Sequence, residues 1–397
     1  MSQTSKPSLA VSAWLGAVLA GCSLSFMGVT ALAPRITQEA ALPPEAVGLF
    51  SGLAWVAALA ASMGAGTVVG RIGPWPAARL CLLACAAGLA AVASGQAWLI
   101  LLGAVLIGLG NGLEAPPASQ ILGHHVAVQR RPFFFSLKQT GVQFGAVTAS
   151  ALLPGLALTW GWRGAVWGVL VLVLLLALAL VRPARAYPVM PTAPASASAP
   201  RPGWWQVLRH EHDLRRLALA AATFGATQVC LNTFIVTWMV TVRGASLPLA
   251  GALAATAQAA GLLARPLWGW VASRSHGATP VLRGLGLCMA AAAWLLGVLG
   301  SQMPLAGLWP LAALFGLSAS GWNGVFLSEV ASRARGGDMA SATAVAMLPV
   351  YLGLILGPLA FAAVSGQTSL SAGFVLVSVL GGLGAWLVPG PQPRQQD

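Results

Sequence analysis

Long apolar runs dominate the chain, each close to the length needed to cross a bilayer, and polar residues collect in the short breaks between them. A helix spans the hydrocarbon layer with about 20 mostly apolar residues. The pattern predicts twelve such helices, over 10–33, 45–70, 76–95, 97–122, 133–157, 163–181, 217–240, 247–271, 280–300, 305–329, 339–364 and 369–388. Glycine and proline recur inside these runs, with 47 and 26 in the whole chain. In water that frequency would weaken helices. In a membrane bundle glycine permits close helix approach, and neighbouring helices accommodate proline. Segment 182–216 departs from the pattern. It carries Arg182, Arg185, a Pro/Ala/Ser-rich tract from Pro188 to Pro202, then Trp204 and Trp205 ahead of a mixed-charge run to Arg216. This composition predicts a linker leading into an amphipathic helix at the headgroup layer, a depth that suits tryptophan. The expected architecture is an all-α polytopic membrane protein with two six-helix halves, 1–181 and 217–397, on either side of a cytoplasmic linker at 182–216.

Composition sharpens this picture. Charged residues make up 7% of the chain and hydrophobic ones 57%, against about 25% charged in ordinary soluble proteins. The net charge of +13 would suggest a nucleic-acid partner in a soluble chain. Here it has a topological reading, because basic residues gather in cytoplasmic loops. With the N-terminus inside, sixteen lysines and arginines fall on the cytoplasmic side and only Arg35, Arg163 and Arg243 outside. An odd number of spans would spoil that bias, so both termini are expected in the cytoplasm, in a bacterial inner membrane. The apolar run near the N-terminus reads as a retained first span rather than a cleaved signal. Cys22, Cys81, Cys85, Cys230 and Cys288 all lie in apolar segments, and only Cys81 and Cys85 share a face, without further ligands. They read as small hydrophobes. The five histidines sit in loops with no converging acids or thiols. No metal, cofactor or nucleic-acid partner is predicted, and no catalytic constellation of an enzyme.

The halves echo each other. The turn Gly66 to Gly73, with Arg71, follows the second span, and the turn Gly269 to Gly277, with Arg274, follows the eighth. The fourth span carries Gly108, Gly110 and Gly112 and the tenth Gly316, Gly321 and Gly324. The fifth carries Gly141 and Gly145, the eleventh Gly353, Gly357 and Pro358. Recurrence of small-residue spacings at matching positions is the weak internal symmetry expected of secondary transporters, with these glycines as helix-packing positions.

On these residues the chain resembles the major facilitator superfamily over essentially its whole length. Arg71 and Gly73, with Arg274 and Gly277, fit that superfamily's loop signature and its echo, which implies a role in gating. The acid usually preceding the arginine is replaced by Gly70 and Ser273, so the usual acid-mediated gating bridge is unavailable. The arginine often seen in the fourth span is replaced by Ala104. More closely, the stretch Arg131 to Gly141 and the stretch Gly321 to Val330 resemble those of bacterial permeases of the cyanate and small-organic-anion type. Glu114 departs from that group. The resemblance implies two pseudo-symmetric bundles around a central cavity, working as a monomer by alternating access.

Ionisable residues at membrane depth are costly and mark functional sites. Lys138 lies seven residues beyond Arg131, about 10 Å into the bilayer at 1.5 Å per residue. Arg265 lies nine residues before Arg274 and Glu114 ten before His124, about 14 and 15 Å deep by the same rise. Lys138 reads as an anion-coordinating cation or as the ion-pair partner of Glu114. Arg265 reads as a substrate ligand or as an arginine packed between helices beside Pro266. Glu114 reads as a proton carrier, as the partner of Lys138, or as a substrate-selective acid. Glu329, four residues before Arg333, reads as a gate or helix-end ion pair at the cytoplasmic interface. Gln143, Gln228, Asn232 and Asn323 are candidate cavity-lining amides. Two cations, one acid and several amides suggest a small organic anion, monocarboxylate-like, moved with protons. A drug or metabolite exporter of the same fold, or a transport-inactive sensor or scaffold, are the alternatives.

Overall fold

The computed structural model describes residues 5–127, 130–190, 211–274, 278–333 and 339–390. The regular elements among them are helical. In chain order they are α1 (Ser5–Glu39), a single 3-10 turn (Pro44–Ala46), α2 (Val47–Ile72), α3 (Pro74–Ala93), α4 (Ala97–Leu113), α5 (Ala115–His125), α6 (Arg131–Ala179), α7 (Val181–Ala186), α8 (His212–Thr241), α9 (Leu247–Arg274), α10 (Ala278–Val298), α11 (Leu305–Ala319), α12 (Trp322–Arg333), α13 (Met339–Gln367) and α14 (Leu370–Leu387). The expected interfacial helix with Trp204 and Trp205 lies outside the described residues.

Eleven stretches among the described residues are long and apolar enough to cross a membrane. One of them, Phe133–Ala186, runs for 54 residues, far more than the roughly 20 that one crossing needs. Its backbone leaves the helical region at Gly161, with φ 69° and ψ 164°. That break divides α6 into two spans and brings the total to twelve. The positive φ is readily adopted only without a Cβ. Trp162 and Arg163, directly after the break, both donate to the Glu39 carboxylate at the end of α1, and Arg163 Nε donates to the Ala93 carbonyl 3.1 Å away. The break is thereby tied to the ends of α1 and α3.

Two spans read as continuous from the sequence are interrupted. The fourth bends between α4 and α5 at Glu114, where Pro116 and Pro117 lack the amide hydrogens that would continue the ladder. The tenth is interrupted between α11 and α12 at Ser320 and Gly321, where the Trp268 indole occupies the space a Cβ on Gly321 would need.

The chain separates into two compact units: Met1–Ser198 with Ala245–Ala255, and Ala199–Gly244 with Thr256–Asp397. In the first, α1 lies along α6, while α2 and α3 pack on α4. In the second, α8 packs on α13 and α14, and α10 on α14. The same device sets the closest approaches in each. A Cβ on Gly141 would collide with the Gly16 carbonyl and one on Gly145 with that of Ala20; one on Gly353 would collide with the Ala222 carbonyl, and Gly357 sits against Ala226. Likewise Gly108 closes on the Ala54 carbonyl and Gly316 on that of Ala257. Pro358 is buried in the same stretch of α13 as Gly357.

Gly353→Ala is therefore expected to lower the thermal unfolding midpoint of the detergent-purified protein, followed by tryptophan fluorescence. Gly155→Ala, at a position with no atom within 4 Å, should leave it unchanged or raise it slightly, as alanine is the better helix former.

Candidate functional site

In the first unit the break at Glu114 sets an acid between two helical segments, and α6 supplies its counter-charge. Lys138 Nζ lies 2.6 Å from Glu114 Oε1, and both side chains are buried. Lys138 is on the buried face of α6, whereas Gln139 and Thr140 are exposed. Its backbone lies against Gly16 of α1, and the glycine that permits the close approach is Gly141 on α6, where a Cβ would collide with the Gly16 carbonyl. Asn111, one turn before Glu114, donates to the Ile107 carbonyl at 2.9 Å. Gln143, five residues past Lys138, is also buried, and its Nε2 has no hydrogen-bond partner among the described residues. A buried amide donor without an acceptor costs free energy of about 1–3 kcal/mol. Ser23 and Ser25 are satisfied by backbone carbonyls, Ser23 by that of Val142 at 2.7 Å and Ser25 by that of Gly21 at 2.8 Å. They bind helices to themselves and to one another. A separate pocket between α1, α2 and α4, lined by Val29, Ala33, Phe50 and Ile100, is apolar and holds none of the predicted ligands.

The second unit gathers the predicted amides. Gln228 and Asn232 are four residues apart on α8 and share a face. From Phe224 to Met239 they are the two residues that are not buried. Trp322 Nε1, at the start of α12, donates to Gln228 Oε1 at 3.3 Å, and Gln258 Nε2 on α9 donates to Asn232 Oδ1 at 2.7 Å. Asn323 is half-buried beside Trp322. Arg265 is half-buried on α9, seven residues beyond Gln258 and so on the same face, and its Nε has no hydrogen-bond partner among the described residues. Gln258 was not predicted from the sequence. Its spacing of seven from Arg265 is the signal that would have found it.

At the basic end of the same unit Glu329 is part of a buried network. Arg333 Nε donates to Glu329 Oε1 at 2.6 Å, Nη1 to Asp213 Oδ2 at 2.8 Å and Nη2 to the Gly390 carbonyl at 2.8 Å. Thr279 Oγ1 donates to Glu329 Oε1 at 3.1 Å. One guanidinium thus joins α12, the first turn of α8 and the chain beyond α14. Spacing alone showed the Glu329–Arg333 pair; Asp213 and Thr279 are partners distant in sequence.

The two glycine-rich turns are placed differently. Gly73, with φ 86°, ends α2 and starts α3, and Arg71 is exposed. Arg274 stacks on Trp270, 4.3 Å from the ring centroid, and Ser273 donates to the Trp270 carbonyl in its own helix. Gly277 lies outside the described residues.

The sequence profile of the Major Facilitator Superfamily matches residues 13–358. No curated protein matches the chain. Among solved structures, the chain is similar to a bacterial homolog of the human lysosomal transporter Spinster, inward-facing and unoccupied, at 16% identity and TM-score 0.76 over 96% of each chain. It is similar to a D-xylose-proton symporter at 16% identity and TM-score 0.73 over 98% of each chain. It is also similar to a POT family transporter in complex with 5-aminolevulinic acid, at 12% identity and TM-score 0.75 over 95% of each. At these identities the likeness is one of fold.

The buried pair yields a stability test. Removing one member of a buried ion pair leaves an uncompensated charge and costs about 3–5 kcal/mol, whereas replacing both is close to neutral. Lys138→Met is expected to lower the thermal midpoint in detergent, and Lys138→Met combined with Glu114→Gln to restore most of the loss. Additive losses in the double variant would argue that the two side chains do not interact.

Proposed function

Since this chain belongs to the Major Facilitator Superfamily, we propose that it moves a small organic anion, monocarboxylate-like, together with a proton by alternating access. Its membership makes it a secondary transporter of a small solute rather than an enzyme. The observation that carries the finer reading is the buried Lys138–Glu114 pair. An ammonium at that depth requires an anion beside it, because an unpaired buried charge is strongly disfavoured. Either the Glu114 carboxylate or a substrate carboxylate can fill that place. Protonation of Glu114 releases Lys138 to the incoming anion, and departure of the anion returns Lys138 to a deprotonated Glu114. The charge of the site is the same in both states, so one proton accompanies one monovalent anion.

Several further points support this reading. Gln143 Nε2 offers an unfilled donor on the same helix as Lys138, and Arg265 an unfilled Nε on α9. One similar structure is of a proton symporter, and another holds a small organic acid. The resemblance of Arg131 to Gly141 and Gly321 to Val330 to small-organic-anion permeases agrees in substrate class. The bias of basic residues supports both termini in the cytoplasm of a bacterial inner membrane. The composition of the linker is the ground for halves 1–181 and 217–397 on either side of it, and the family resemblance implies a monomer as the working unit. Arg71, Gly73, Arg274, Gly277 and Glu329 are assigned to gating. Arg274 is held by an aromatic ring in place of the usual acid.

Thermal-shift measurements on the detergent-purified protein test the proposal, with small carboxylates, cyanate and neutral analogues at pH 5.5 and 7.5. A carboxylate is expected to stabilise the wild type more at pH 5.5, because in the proposed mechanism one proton is bound together with each anion. Lys138→Ala and Arg265→Ala should abolish the response. Glu114→Gln should retain it and lose its pH dependence. Stabilisation by apolar or cationic compounds alone would overturn the anion reading in favour of an exporter.

A further inference from the structure

The polar face of the second unit has a hydrogen-bonding character that its residue list does not show. Gln228 and Asn232 each carry an acceptor and an NH₂ donor. As residue types they would serve neutral, cationic or anionic ligands equally. The partner of Gln228 removes that ambiguity. The indole of Trp322 is a donor only, so its 3.3 Å contact requires the carbonyl end of Gln228. The NH₂ end is then the one left for other partners. Asn232 Oδ1 accepts from Gln258 Nε2 at 2.7 Å; Gln258 is an amide with a donor and an acceptor end and is itself buried. Each carbonyl on the open face of α8 thus accepts a hydrogen bond from within the unit, from side chains of α9 and α12, which fixes the end of each amide that is turned away from those partners. On the Gln258 face of α9, Arg265 adds a guanidinium that has donors and no acceptor, with its Nε unpartnered among the described residues.

We infer that Trp322 and Gln258 are specificity-determining residues: by engaging the carbonyls of Gln228 and Asn232 they orient both amides with their NH₂ ends free and bias this face toward donors, so that it favours carboxylates over carboxamides and other donor-bearing neutral analogues. This inference rests on the small-organic-anion reading above and narrows it. An ionised carboxylate is acceptor-only and meets Gln228 Nε2, Asn232 Nδ2 and Arg265 without conflict. A carboxamide of the same shape brings an NH₂ that faces donors, and a buried donor left unpaired is penalised. Neither Trp322 nor Gln258 needs to touch the ligand. Each acts through the amide whose orientation it sets.

The test is a ratio measured on the whole protein in detergent. Apparent affinities for propionate and lactate, and for propionamide and lactamide, are obtained by thermal shift for the wild type, Trp322→Phe and Gln258→Leu. Trp322→Phe keeps an aromatic ring and removes the N–H; Gln258→Leu keeps the approximate volume and removes the donor. Each frees one carbonyl to turn toward the ligand. The carboxylate-to-carboxamide preference is expected to fall by about tenfold in either variant, the size of one hydrogen bond to a charged group. A merely structural role would weaken both ligands together and leave the ratio unchanged. A wild-type carboxylate response whose preference is unmoved in both variants would overturn this inference and leave the anion reading intact. A wild type that responds to neither carboxylate would overturn both. If one variant fails to fold, the other decides.

Discussion

A charge in the hydrocarbon layer has no water to solvate it, and the packing of this protein is organised around supplying partners for the few charges it carries. Lys138 is held by Glu114 across a helix break. Arg333 is held by Glu329, Asp213 and the Gly390 carbonyl. Two further arginines converge on the same terminus: Arg216 donates to the Leu387 and Trp386 carbonyls, and Arg283 to that of Val388. The last carbonyls of a helix lack intrahelical partners and carry the negative end of its dipole. Three cations from α8, α10 and α12 therefore cap α14 and the residues after it, closing one end of the second unit.

Against that background the unfilled donors are informative. Gln143 Nε2 and Arg265 Nε are buried and lack protein acceptors among the described residues. Polar groups that serve only as glue, such as Ser23, Ser25 and Thr37, are satisfied by backbone carbonyls. In the function proposed above, exchange of the Glu114 carboxylate for a substrate anion beside Lys138 is what links solute binding to proton uptake.

The apolar frame serves the same end. Glycines at matching places in the two units let helices touch along their backbones, which rigidifies α1 against α6 and α8 against α13. Breaks in the fourth and tenth spans then become local features of an otherwise stiff scaffold. Glu114 occupies the first break, while Trp322 and Asn323 directly follow the second, so the polar chemistry gathers where the helices are interrupted.

Much of this was legible in the sequence because hydrophobic length is a one-dimensional property. Twelve spans, the even count, the glycine repeats and the depth of Lys138, Glu114 and Arg265 all follow from counting along the chain. The i,i+4 pair of Glu329 and Arg333 was equally open to counting. Counting left undecided whether Lys138 and Glu114 meet, since residues 24 positions apart on two spans are brought together only by the kink at Pro116 and the close packing of α6 on α1. It also missed Asp213 and Thr279 as partners, and gave no sign that the carbonyls of Gln228 and Asn232 are already engaged. Those facts depend on which faces of separate helices oppose each other, and on the direction of each donor. Only the tertiary structure decides them, because a hydrogen bond is directional whereas burial in a membrane is not.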